Sequence, residues 1–139
     1  MAPAQPPRPR RSLLYVPGSN ARALAKAASL PVDGVILDLE DAVLPAGKLA
    51  ARAAVLAAAA ARHFGHREVI IRINGLDTEW GLGDRRAAAT SPVDGILLSK
   101  VDEPATLLAA ARALDELAAP PGLRLWSMAE TPRAVLDMD

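Results

Sequence analysis

The sequence contains no cysteine, which excludes disulfide bonds and metal sites with thiolate ligands. It also lacks an excess of either charge, because 16 lysines and arginines balance 16 aspartates and glutamates. Binding to nucleic acid or to an anionic membrane would call for a basic face, and the balanced charge does not favour one. We therefore expect neither kind of partner.

Long hydrophobic runs are also missing, since no apolar stretch approaches the roughly 20 residues that a membrane-spanning helix needs. Residues 1–11 are rich in proline and arginine and have no apolar stretch of the kind found in signal peptides. We interpret them as a disordered tail, because they offer too little apolar surface to offset the entropy of ordering. Residues 12–139 are predicted to form one folded unit with a cytoplasmic location.

Short β-branched apolar runs alternate with alanine-rich stretches along the chain, as in a parallel sheet with crossover helices. The predicted strands are 12–16, 34–39, 69–73, 95–101 and 123–128. The predicted helices are 20–29, 47–63, 80–90, 103–118 and a last one from 132 onward. A complete (β/α)8 barrel takes roughly 200 residues or more. The predicted fold class is therefore α/β, as a partial TIM barrel with about the first five βα units.

Two near copies of one pentapeptide precede the second and fourth predicted strands, at 31–35 and 92–96. Such a repeat indicates similar βα units and favours a barrel. The alternative is an open doubly wound sheet, which needs a glycine-rich phosphate loop after the first strand if it binds dinucleotides. The loop at 17–20 does not have that composition.

Charged residues fall where the predicted strands end. Alternation along a strand places Asp38 and Glu40 on one side, and Arg72 on the side that faces the barrel interior. In a parallel barrel, these carboxyl ends form the rim on which active sites are built.

Two later strands continue the pattern of charges at the rim. The same alternation predicts that the Lys100 side chain lies on the same side of its strand as Ile96 and Leu98. It predicts that Glu130 lies on the same side as Trp126 and Met128. The carboxylates of Asp38, Glu40, Asp41 and Glu130 then outnumber the cations of Arg72 and Lys100.

This acidic excess predicts compensation by a hard divalent cation. With oxygen ligands, and with His63 and His66 in a helix-end loop away from the rim, magnesium is favoured over zinc. A buried structural ion network without chemistry fits the same spacing equally well, because buried charges need partners in any protein.

Four further segments form a recognisable set: Arg-Ser-Leu-Leu-Tyr-Val-Pro-Gly-Ser at 11–19, Asp-Leu-Glu-Asp-Ala-Val at 38–43, Arg-Ile-Asn at 72–74 and Met-Ala-Glu-Thr at 128–131. Together they resemble the citrate lyase β-subunit (CitE-like) family of the HpcH/HpaI aldolase group. The resemblance implies a magnesium-dependent carbon–carbon lyase that converts citryl-CoA, malyl-CoA or citramalyl-CoA into an acyl-CoA and a keto acid. It also implies a homo-oligomer in the full-length form.

The resemblance also implies roles for individual residues. Arg72 would bind a carboxylate of the keto acid, and Glu130 would bind magnesium and contact the substrate. Glu40 and Asp41 would support Arg72 and the water molecules on the metal. A second metal ligand, an aspartate, is expected beyond Asp139, and Lys100 is expected to be a bystander to the bond chemistry.

Several alternatives stay open at this point. The family also contains CoA thioesterases, and a metal-dependent 2-keto-acid aldolase would use a similar site. A different possibility is a truncated fragment without catalytic activity. We expect the 139-residue chain alone to be inactive, because a site with one carboxylate ligand would hold magnesium poorly.

Overall fold

The computed structural model describes residues 8–137, and it contains the predicted alternation of strands and helices. The five strands are Leu13–Pro17 (β1), Gly34–Asp38 (β2), Glu68–Ile73 (β3), Gly95–Leu98 (β4) and Arg124–Ser127 (β5). The α-helices are Ala21–Ala27 (α1), Lys48–Ala60 (α2), Gly81–Ala89 (α3), Pro104–Glu116 (α4) and Pro132–Leu136 (α5), with a 3-10 turn at Pro45–Gly47. The fourth strand is shorter than predicted and ends at Leu98.

The strands form one parallel sheet in the order β1-β2-β3-β4-β5, so each strand lies beside its neighbours in sequence. This order never reverses, as it would in a doubly wound sheet. With one hand of crossover, a sequential order puts all the connecting helices on the same face. The sheet is therefore the start of a barrel, as predicted.

The helix-covered face carries the larger core. Buried residues from α1 to α4 pack there against one side of the strands, and the cluster includes Leu24, Ala27, Ala51, Val55, Ala88, Ala89, Ala110 and Leu114. Many of these positions are alanines, whose small side chains let the helices lie close to the sheet. A second, smaller cluster of Ile36, Ile70 and Leu97 marks the opposite face, which is the inside of the barrel.

The repeated pentapeptide has a structural explanation at the start of β2 and β4. Asp33 Oδ2 accepts a hydrogen bond from the backbone nitrogen of Arg11 at 2.8 Å, and Asp94 Oδ2 accepts one from that of Val69 at 2.9 Å. In both cases the aspartate satisfies a backbone donor close to the start of the preceding strand, just before β1 in the first case and within β3 in the second. The repeat therefore joins neighbouring strands at the amino-terminal end of the sheet.

Three arginines of residues 8–11 pair with carboxylates at this same end. The pairs are Arg8 with Asp94 at 2.8 Å, Arg10 with Glu68 at 2.6 Å and Arg11 with Asp33 at 2.8 Å. Residues 1–7 of the predicted tail lie outside the described residues, so the tail stays a prediction there. None of the helices in residues 8–137 has the length and apolar character needed to cross a membrane.

A buried polar network fastens β3 to two helices. The carboxylate of Asp84 in α3 accepts from Arg52 Nε at 2.6 Å, from Asn74 Nδ2 at 2.6 Å and from the Asn74 backbone nitrogen at 3.1 Å. Arg52 also donates to the carbonyl oxygen of Trp80 at 3.0 Å. Asn74 follows the end of β3 at Ile73, and its side-chain amide turns to α3.

Replacing Asp84 by Asn should destabilise the protein, because the amide leaves the Arg52 guanidinium without its carboxylate in a largely buried place. We expect a loss of about 3 kcal/mol in the free energy of unfolding, measured by urea denaturation. Asp115→Asn, on the exposed face of α4, is the control and should change it by less than about 0.5 kcal/mol. Equal stabilities of the two variants would contradict this role of Asp84.

The pair of Arg11 and Asp33 predicts a pH dependence. Hydrogen bonds from the Arg11 side chain lower the pKa of Asp33 to about 2, against an ordinary value of about 3.9. Charged Asp33 therefore stabilises the fold above the ordinary pKa, and this contribution disappears as the pH falls through the lowered one. The stability gap between the wild type and Asp33→Asn should be constant above about pH 4 and should close toward about pH 2. A gap independent of pH would refute the pairing.

Candidate active site

The site is built around Arg72, which lies near the end of β3 on the inner face. Arg72 and Asp38 are register partners on β3 and β2, so their side chains project to the same side. Arg72 donates to Asp38 through Nε at 2.8 Å and through Nη2 at 2.5 Å. Both residues are buried. These hydrogen bonds are the first cause of a raised pKa of Arg72, which is held as a permanent cation.

Asp38 also shapes the loop that follows β2. Its carboxylate accepts from the backbone nitrogens of Glu40 at 2.8 Å and Ala42 at 3.3 Å. This turn brings Glu40 Oε2 to 3.2 Å and Asp41 Oδ2 to 3.5 Å from Arg72 Nη1. The prediction that Asp38 and Glu40 project together is confirmed.

A buried lysine from α2 holds the same loop from behind. Lys48 Nζ donates to the carbonyl oxygens of Leu39 at 2.8 Å and Glu40 at 2.6 Å. Desolvation lowers the pKa of Lys48. Sequence reasoning missed this residue. Its placement in the first turn of a helix, where a cation is unfavourable, was the available signal.

Lys100 follows β4 and bridges three carboxylates. Its Nζ lies 2.6 Å from Glu40 Oε1 and 3.4 Å from Asp41 Oδ1. Its backbone nitrogen donates to Glu130 Oε1 at 3.0 Å. The hydrogen bond to Glu40 is the main cause of a raised pKa of Lys100.

The side predicted for Lys100 was wrong. Ile96 and Leu98 lie in the helix-covered core, whereas the Lys100 side chain reaches the carboxylates at the mouth of the barrel. The alternation stops because β4 ends at Leu98 and because Lys100 has a left-handed backbone, with φ of 53°.

Glu130 lies at the exposed rim after β5, as predicted. Trp126 and Met128, on the same side of that segment, pack in the inner cluster. The next residue, Thr131, caps α5 by accepting from the backbone nitrogen of Ala134 at 3.1 Å.

Tyr15 of β1 lies against the Arg72 guanidinium. The Arg72 guanidinium carbon lies 5.0 Å from the centroid of the Tyr15 ring, within the range of a cation–π contact. The Tyr15 hydroxyl lies 3.4 Å from Met128 Sδ, and burial raises the pKa of Tyr15. Sequence reasoning gave Tyr15 no role, because the count along one strand does not show what lies two strands away.

A cavity of about 500 Å³ opens at this rim, between the loops that follow β3 and β4. Polar lining residues include Glu40, Asn74, Asp77, Thr78, Ser99, Lys100 and Thr106. Its size is suited to a small-molecule ligand. The position agrees with the rim at which parallel barrels bind their substrates.

Magnesium fits this donor set in part. Within residues 8–137 there is no group of three or more His, Cys, Asp or Glu side chains placed to hold a metal ion. Glu40 and Asp41 are engaged by Arg72 and Lys100. Magnesium is often bound through one or two carboxylates with water and substrate oxygens completing the shell. Exposed Glu130 fits one such ligand.

Residues 11–139 match the protein family described as HpcH/HpaI aldolase/citrate lyase. The chain belongs to this family. It is 45% identical over 129 residues to the (3S)-malyl-CoA thioesterase of Cereibacter sphaeroides (strain ATCC 17029 / ATH 2.4.9), which covers 93% of this chain and 43% of that relative. It is 39% identical over 95 residues to the citrate lyase subunit beta of Escherichia coli (strain K12), which covers 68% of this chain and 32% of that relative.

The fold is similar to the solved structure of protein CitE from Mycobacterium tuberculosis in complex with magnesium, acetoacetate and coenzyme A. The TM-score is 0.69 at 28% identity, and the match covers 92% of this chain and 43% of that one. The family and the partial-barrel fold predicted from the sequence are thereby confirmed. The chain spans less than half the length of these relatives. The roles of Arg72, Glu130, Glu40 and Asp41 stay predictions.

Replacing Asp38 by Asn tests whether this buried carboxylate anchors Arg72. An amide nitrogen cannot accept from the guanidinium or from the loop, so we expect a loss of about 3 kcal/mol in the free energy of unfolding. Asp41→Asn is the matched control, since that side chain is 63% exposed and contacts the same arginine. It should lose less than about 1 kcal/mol. Similar losses in both variants, measured by urea denaturation, would argue against the anchor.

Proposed function

We propose that the chain forms the first part of the active site of a magnesium-dependent carbon–carbon lyase. The substrate would be a small hydroxyacyl-CoA such as malyl-CoA, citramalyl-CoA or citryl-CoA, and the products an acyl-CoA and a keto acid. The observation that supports the proposal is the buried Arg72, which is held by Asp38 and contacts Glu40 and Asp41 at the rim. Glu40 also lines the cavity that opens there.

Arg72 is suited to bind the carboxylate of the keto-acid part. Asp38 occupies Nε and one proton of Nη2, so the guanidinium is already oriented before a substrate binds. Nη1 has only longer contacts, at 3.2 Å to Glu40 and 3.5 Å to Asp41. A substrate carboxylate can therefore replace these contacts with shorter, charge-assisted hydrogen bonds.

The rim carboxylates would place the metal next to that carboxylate. Glu130 would bind magnesium directly, and Glu40 and Asp41 would accept hydrogen bonds from its water ligands. A further carboxylate ligand is proposed to come from outside the described residues. Bound magnesium would supply Lewis-acid stabilisation of the negative charge that develops on the keto-acid oxygen.

The state of Lys100 supports a mechanism without a lysine imine. An imine needs a neutral amine, and the pKa of Lys100 is raised by its hydrogen bond to Glu40. The charge on Lys100 is better suited to balancing the rim carboxylates. A metal-dependent lyase or aldolase agrees with this arrangement, whereas a Schiff-base aldolase does not.

Thioester hydrolysis is the second candidate, and the likeness to the (3S)-malyl-CoA thioesterase of Cereibacter sphaeroides at 45% identity favours it. The two reactions share the binding of a hydroxyacyl-CoA and differ in the bond that is broken. The complex of the Mycobacterium tuberculosis protein with magnesium, acetoacetate and coenzyme A supports the same ligand classes for both. Homo-oligomer formation and a cytoplasmic location stay predictions.

Activity can be tested on the chain as it stands and on a hybrid barrel. In the hybrid, residues 11–139 replace the matching segment of the Cereibacter sphaeroides thioesterase, whose remaining units complete the barrel. Lyase activity releases a keto acid without free thiol, whereas thioesterase activity releases free coenzyme A that a thiol reagent detects. Chelation should abolish either activity, and added magnesium should restore it. A hybrid that folds but shows neither activity with any of the three acyl-CoA substrates would refute the proposal.

Arg72→Lys in the hybrid tests the carboxylate-binding role. Lysine keeps the charge but cannot make the two-pronged contact, so kcat/KM should fall about 10- to 100-fold, equivalent to roughly 1.5–3 kcal/mol. Arg112→Lys, on the exposed face of α4, is the matched control and should leave kcat/KM unchanged. Steady-state kinetics measure both, and near-normal activity of Arg72→Lys would count against the assignment.

A further inference from the structure

Lys100 is the residue through which the separate carboxylates of the rim are joined. Its ammonium contacts Glu40 and Asp41, which follow β2. Its backbone nitrogen contacts Glu130, which follows β5. These carboxylates come from opposite sides of Arg72 in the sheet order. One residue therefore spans the mouth of the barrel.

The backbone of Lys100 is unusual in a way that makes this double contact possible. With φ of 53°, Lys100 lies in the left-handed region, which residues other than glycine rarely adopt. Disfavoured conformations of this kind persist where surrounding contacts hold them, and they cluster at functional sites. In regular alternation the side chain would point to the helices. The left-handed turn instead directs the ammonium to Glu40.

Glu40 shows what the ammonium prevents. Its Oε1 is held by Lys100 at 2.6 Å. Its Oε2 is buried and has no hydrogen bond among residues 8–137, although Arg72 Nη1 is 3.2 Å away. Without the ammonium, both oxygens of Glu40 would be drawn to Arg72, and they would occupy the nitrogen that a substrate carboxylate needs.

We propose that Lys100 is a positioning residue: its ammonium holds one carboxylate oxygen of Glu40, Oε1, away from Arg72, and its backbone nitrogen orients Glu130. The functional part of this inference rests on the proposed binding of a keto-acid carboxylate by Arg72. Lys100 touches neither the reacting atoms nor the metal in this scheme. Its effect is to keep Arg72 available and the carboxylate of Glu130 correctly turned.

The side-chain and backbone contacts of Lys100 predict different outcomes for two ligands. Lys100→Met removes the ammonium but keeps the backbone nitrogen. The dissociation constant for a keto acid such as oxaloacetate should therefore rise about 10-fold or more in the hybrid barrel. The dissociation constant for magnesium should stay the same or fall. The variant loses a cation near the metal, while Glu130 keeps its hydrogen bond from the backbone nitrogen. Lys100→Arg should restore keto-acid binding, and Arg112→Met is the charge-matched control.

Calorimetry on the hybrid measures both ligands, and a crystal structure of the Lys100→Met chain adds a readout that needs no ligand. There, Glu40 should have turned toward Arg72 while Glu130 stays in place. Unmoved Glu40 and unchanged keto-acid affinity would overturn the role of Lys100. If the wild-type hybrid binds neither ligand, the proposed function fails. The position of Glu40 in the variant then decides by itself whether Lys100 holds it.

Discussion

The buried pair of Arg72 and Asp38 is the interaction on which the candidate site depends. Both charges are removed from water, so each requires the other at close range. Their direct pairing across β2 and β3 sets the orientation of the guanidinium. The same carboxylate then fixes the loop that carries Glu40 and Asp41. A change at Asp38 would therefore disturb both Arg72 and the loop that carries Glu40 and Asp41.

The order of the strands explains why this pair lies inside. Because the sheet is wound in one direction, helices α1 to α4 cover one face, and the other face is left for the barrel interior. Lys48 and Asp84 attach that polar interior to the outer helices, through carbonyl oxygens after β2 and through Asn74 after β3. The helices therefore contribute polar contacts to the site as well as apolar packing.

The two ends of the sheet carry different kinds of charge interaction. At the amino-terminal end, arginines of residues 8–11 form ion pairs with single carboxylates at the strand starts. At the carboxyl end, several carboxylates share Arg72 and Lys100, and a cavity opens beside them. One-to-one ion pairs stabilise the fold. Carboxylates that share one cation can release that cation to a bound ligand. This division agrees with the separation of stability and catalysis between the two ends of parallel barrels.

The sequence by itself determined the α/β class, the five strands and helices, and the inward direction of Arg72, since these follow from apolar periodicity within single segments. The rim position of Glu130 followed from the same count. Only the tertiary structure decided the partners: Asp38 for Arg72, Lys48 for the loop after β2, and the inward turn of Lys100. These depend on strand register, on one left-handed residue and on contacts between segments far apart in the chain, and periodicity along a single segment contains none of that information.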